Sequence, residues 1–78
     1  MNSFFIDVPT YAARVTLSRL LHLKTTYLAE SKGKYREDPG VTQLYIKTKW
    51  TEDQLDHWLY KSKGVDYIGI VQIQGEQS

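Results

Sequence analysis

At 78 residues with 10 basic and 9 acidic side chains, net charge +1, the chain has room for one small domain. It also lacks the charge excess of a protein that grips nucleic acid mainly by electrostatics. The absence of cysteine excludes disulfides and cysteine-ligated metal or iron–sulfur sites, and no apolar run approaches the ~20 residues of a membrane span.

Small secreted domains usually rely on cystines, and no signal-peptide pattern opens this chain, so a soluble protein in the cytoplasm is expected. The first element is a strand over Ser3–Val8. Alternation places Phe4, Ile6 and Val8 on one side and Phe5 and Asp7 on the other. Pro9 lacks an N–H and ends the ladder, which leaves Thr10 where a helix N-cap would sit. Thr10–Leu23 reads in two ways. As a helix it gathers Ala13, Leu17, Leu20 and Leu21 on one face, with Arg14 flanking them and Val15 on the far side. As a long strand or hairpin from Val15 it would align Val15, Leu17, Leu21 and Leu23, broken by Arg19. Length and helix-forming residues favour the helix.

Thr25–Ala29, β-branched and aromatic, predicts a short strand, and Glu30–Gly40 a turn-rich finger marked by Gly33 and Asp38-Pro39-Gly40. Within the finger an extended backbone would put Lys32, Lys34 and Arg36 on one side, with Tyr35 between them. Val41–Lys49 is the next strand, with Thr42, Leu44, Ile46 and Thr48 on one face and Gln43, Tyr45 and Lys47 on the other.

Trp50–Val71 carries the clearest local signals. Thr51 can accept a hydrogen bond in the first turn of a helix, and Gln54 can reach back to complete a capping box. Trp50 and Leu55 are spaced as a hydrophobic staple. Glu52 and Asp53 suit the positive end of the helix dipole, and Lys61 and Lys63 the negative end. Leu55, Trp58, Leu59 and Ser62 repeat at i, i+3, i+4 and i+7, and Gly64 can take the left-handed conformation that ends the helix. Asp66–Gln74 is the last strand, with Gly69, Val71 and Ile73 of one parity and Ile68 and Ile70 of the other. Gly75–Ser78 reads as a frayed, flexible tail.

The order β-α-β-β-α-β is the split βαβ arrangement of ferredoxin-like α+β folds. It predicts one domain over 1–78, with a four-stranded antiparallel sheet carrying both helices on one face. Its expected core is Phe4, Ile6, Leu17, Leu21, Leu44, Ile46, Leu55, Trp58, Leu59, Val71 and Ile73. The fold hosts enzymes, regulators, nucleic-acid binders and inhibitors alike, so function must come from a site.

Chemical constellations are sparse. Asp53, Asp56 and His57 offer two-ligand helical spacing without a third ligand, which reads as a solvated first turn. His22 suits the end of the first helix and has no nucleophile or orienting carboxylate nearby in sequence. Gly64 and Gly69 form no phosphate loop. No enzymatic activity, cofactor or metal is therefore expected. Phe5, Tyr45 and Lys47 should instead share the helix-free face of the central strands, where RNA-recognition domains stack bases. The signature run of those domains is absent, and Asp7 beside Phe5 would repel phosphate. Ordinary cross-strand pairing, a protein-binding face, or a homodimer through the open sheet is the stronger expectation.

The run Gln54-Leu55-Asp56-His57-Trp58-Leu59-Tyr60, followed by Gly64 and Gly69, resembles a segment of a phage-encoded anti-CRISPR family directed at type I-F surveillance complexes. The resemblance covers Thr51–Gly69, about a quarter of the chain. The N-terminal half has no counterpart to that family's partner-contacting positions, so the resemblance assigns no site residue. It implies a class: small, cofactor-free phage proteins that bind and block a host protein or complex. A small bacterial regulatory domain has the same features. The expected partner-binding residues are Phe5, Lys32, Lys34, Tyr35, Arg36, Tyr45 and Lys47. The alternative is a nucleic-acid-binding module that uses the aromatic face and the basic hairpin.

Overall fold

Every buried face of this domain traces to one strand pair. In the computed structural model, which describes residues 1–73, β1 (Asn2–Pro9) lies antiparallel to β3 (Val41–Thr48) from Asn2↔Thr48 to Pro9↔Val41 without a slip. That register sets Phe4 beside Ile46 and Ile6 beside Leu44, all four fully buried. β2 (Thr26–Lys34) flanks β3 and β4 (Gly69–Gln72) flanks β1, both antiparallel, giving the order β2-β3-β1-β4. With α1 (Thr10–Leu21) and α2 (Glu52–Lys61) between strands, this is the ferredoxin-like α+β fold that the order of elements predicts. Neither helix is long and apolar enough to cross a membrane. The expected tail at 75–78 and the end of the last strand at Gln74 lie outside the described residues.

α1 is a helix, and its buried face is rotated from the predicted one. Ala12, Thr16 and Leu20 are buried, Ala13 and Leu17 pack at the margin, and Leu21 is 55% exposed. Two of the three buried positions, 12 and 16, carry small side chains. A purely apolar count misses that stripe because one member is a threonine. Thr10 is also not the cap: Pro9 precedes the helix, and no side chain caps it. The Thr10 hydroxyl donates instead to the Pro39 carbonyl at 2.7 Å and meets the Thr42 hydroxyl at 2.9 Å, pinning the helix start to β3.

α2 begins as the sequence predicts. The Gln54 N–H donates to Thr51 Oγ1 at 3.3 Å and the Thr51 N–H donates to Gln54 Oε1 at 2.9 Å, the two halves of a capping box. Leu55 and Leu59 are buried, Trp58 is half-buried against Trp50 with ring centroids 6.2 Å apart, and Gly64 leaves the helix at φ +79°. β4 is shorter than predicted and has the opposite parity. Ile70, beside Ile6, packs against the core, whereas Val71, beside Phe5, is 62% exposed. The core thus loses Leu21, Val71 and Ile73 from the predicted set and gains Val8, Leu20 and Ala29, with Ile70 packed against it.

Leu20→Ala is expected to cost ~2–5 kcal/mol, whereas Leu21→Gln should stay within ~0.5 kcal/mol. Urea denaturation of both variants tests the rotated face directly, since equal losses would restore the predicted one. Thr51→Ala should lower stability by ~1 kcal/mol in the same assay, and an unchanged midpoint would argue against the capping box.

Candidate functional site

The helix-free face of the sheet is built row by row from the strand registers. One row crosses all four strands: Glu30 beside Tyr45, Tyr45 beside Phe5, Phe5 beside Val71. The Phe5 and Tyr45 rings lie 5.7 Å apart and tilted by 54°, a favourable aromatic contact. A second row sets Leu28 beside Lys47 and Lys47 beside Ser3. Leu28 is 42% exposed, so Leu28 and Val71 supply the accessible apolar surface on either side of the aromatic pair.

The expected site residues distribute unevenly over this frame. Phe5, Tyr45 and Lys47 share the face as predicted, but Tyr45 is only 9% exposed and forms the floor of the patch. Lys32 lies over it, with Nζ 5.4 Å from the ring centroid and 3.0 Å from Glu30 Oε1. Lys34 is on the opposite face, beside Thr42, which turns toward α1. The predicted finger is in fact strand: β2 continues through Lys34, and only residues 35–40 turn. Alternation fails because Lys32 is an extra residue between the pairs Ser31↔Leu44 and Gly33↔Gln43, a β-bulge followed by Gly33 at φ +96°. Lys32, Lys34 and Arg36 therefore do not share one side, and Arg36 stands exposed in the turn.

Tyr35 does not project from a finger either. Its hydroxyl donates to Asp7 Oδ1 at 2.5 Å and accepts from Gln43 Nε2 at 3.1 Å, anchoring the turn onto the third row of the same face. The Asp7 carboxylate raises the Tyr35 pKa, because ionising the phenol would break the hydrogen bond and set two anions together. The same pairing recurs where Tyr67, in the connection after α2, donates to Asp56, and the Tyr67 phenol is pushed up to about 12. Asp56 is thereby committed to the scaffold. His22 Nδ1 lies 2.7 Å from the Ser18 carbonyl, so this nitrogen carries the hydrogen and closes the last turn of α1. Among the described residues no three His, Asp or Glu side chains converge as a metal site would require.

Val71 and Leu28 are the surface residues that the sequence reading missed. A signal for Val71 existed in the two parities of Ile68–Ile73, but either could have faced the core. Leu28 had none until its partner on β3 was known. Comparison of the chain with protein-family models, with curated proteins and with solved structures found no match.

Because the folded pKa of Tyr67 and Tyr35 exceeds the unfolded value near ~10, both phenols hold their protons longer in the native state. Their contribution to stability is full below pH ~10 and is lost as pH rises through the folded value. Ultraviolet titration of tyrosinate should show a late-ionising component near pH 12 that moves toward 10.0 in Asp56→Asn. An unchanged titration in that variant would remove Asp56 as the cause.

Proposed function

We propose that this chain is a non-enzymatic binding domain, a phage-type inhibitor that blocks a host protein or complex with the helix-free face of its sheet. The observation that carries this reading is the row Glu30–Tyr45–Phe5–Val71. It sets an aromatic floor on the two central strands, with exposed Val71 and Leu28 beside it and a charged border of Lys32, Glu30 and Lys47. Interface energy concentrates in large side chains held on rigid elements and surrounded by polar groups that exclude water. The resemblance of Thr51–Gly69 to the anti-CRISPR family supports the class of target, and makes a type I-F surveillance complex the first partner to test.

A nucleic-acid interface is the second reading, favoured by Lys32 and Lys47 beside the aromatic pair. Asp7 and Glu30 on the same face oppose it, since each would repel phosphate. Salt separates the two readings. Phosphate contacts weaken steeply as salt rises, whereas an apolar protein interface does not.

The test is binding of the purified domain to a purified type I-F complex and, in parallel, capture from bacterial lysate. Val71→Asp should weaken binding by ~1–3 kcal/mol with little change in melting temperature, because Val71 is exposed in the free domain. Tyr60→Ala, on an 81% exposed position of α2, should bind as wild type. If Tyr60→Ala alone lost binding, the interface would lie on the helical side. Loss of the Val71→Asp effect together with steep salt dependence would favour the nucleic-acid reading.

A further inference from the structure

The sheet face does not account for a second feature, on the opposite side of β2. Where α1 passes the far end of the β2–β3 hairpin, a cleft of about 380 Å³ opens between helix and sheet. Ala13 and Leu17 make its apolar helix wall, Thr10 and Thr42 lie at its base, and Arg14 and Lys34 line it from the helix and the strand respectively. The cleft exists because the side chains meeting there are small and because the bulge at Lys32 delivers Lys34, rather than a core residue, to this face. Its volume falls within the range of small-molecule sites.

The charges of the cleft are one-sided. No Asp or Glu lines it, and the ion pair found among the described residues, Lys32–Glu30, is on the other face of the sheet. The two threonines of the cleft have their hydroxyl protons already engaged. The Thr10 proton goes to the Pro39 carbonyl, so the contact at 2.9 Å between Thr10 and Thr42 uses the Thr42 proton. Two cations beside an apolar wall, with no internal carboxylate, are complementary to a ligand that has an anionic end and an apolar body. Guanidinium and ammonium groups form charge-assisted hydrogen bonds with carboxylates, and Arg can do so bidentately.

We propose that this cleft binds a small amphipathic carboxylate, with its aliphatic body on Ala13 and Leu17 and its carboxylate between Arg14 and Lys34. The site is independent of the sheet face, from which β2 and β3 separate it. A ligand of this size reaches affinities on the order of millimolar unless the fit is exceptional.

The experiment is an amide chemical-shift titration of the isotope-labelled full chain with hexanoate, hexan-1-ol and hexylammonium. Hexanoate should give saturable shifts grouped on α1 from Thr10 to Leu17 and on β2 from Ser31 to Lys34. The alcohol and the ammonium ion should bind at least about fivefold more weakly. The double variant Arg14→Gln/Lys34→Gln, both at exposed positions, should keep its melting temperature and weaken hexanoate about tenfold. Ala13→Leu should fill the cleft and abolish the shifts, with its fold checked by the amide spectrum itself. Non-saturating shifts, shifts mapping elsewhere, or hexylammonium binding as tightly as hexanoate would overturn the proposal.

Discussion

The antiparallel pairing of β1 with β3 is the constraint on which the rest of the domain depends. Side chains of a strand alternate between faces, so a register held over eight pairs sorts two strands at once. Phe4, Ile6, Val8, Leu44 and Ile46 go under the helices, and Phe5, Asp7, Gln43, Tyr45 and Lys47 go to the other side. A slip of β1 by one residue against β3 would send Phe5 and Asp7 into the core and expose Phe4, Ile6 and Val8. In so small a domain the fully buried side chains are few, and a loss of that kind would leave little to hold the helices. Both candidate surfaces follow from this pairing. The aromatic floor is its outward half, and the cleft opens where α1 stops covering its inward half.

The legible parts of the sequence were those governed by local rules. Thr51 and Gln54 could be read as a capping box because the motif lies within one turn, and Gly64 as a helix stop because few other residues take positive φ comfortably. The alternation in Ser3–Val8 and Val41–Lys49 was equally plain, since each strand had one clearly apolar parity. Together with chain order these were enough for the ferredoxin-like architecture.

What failed to read was set by tertiary context. Thr16 is buried in line with Ala12 and Leu20, a placement that a helical wheel weighted by hydrophobicity does not give a threonine. Val71 and Ile70 are both β-branched and apolar, and only pairing with Phe5 and Ile6 decides which faces the helices. Lys32 breaks the alternation of β2 because the strand must accommodate an extra residue against β3. A reading of isolated segments sees the glycine beside it as a turn. Tyr35 and Asp7 are 28 positions apart, so their hydrogen bond had no local signature.

The irregularity of β2 has a consequence for how the domain meets other copies of itself. A sheet ends in strands whose outward N–H and C=O groups are unpaired, and a long straight edge invites another chain to add a strand. In β2 the ladder slips twice, at Tyr27 and at Lys32, so the outward groups do not form the even comb that strand addition requires. Lysines at positions 32 and 34 add charge on both sides of that edge. The other edge, β4, is regular but only four residues long, too short to template much pairing. The same bulge that divides the two lysines between faces thus works as a guard against edge-to-edge polymerisation, leaving the apolar sheet face exposed while the sheet's longer margin is closed to growth.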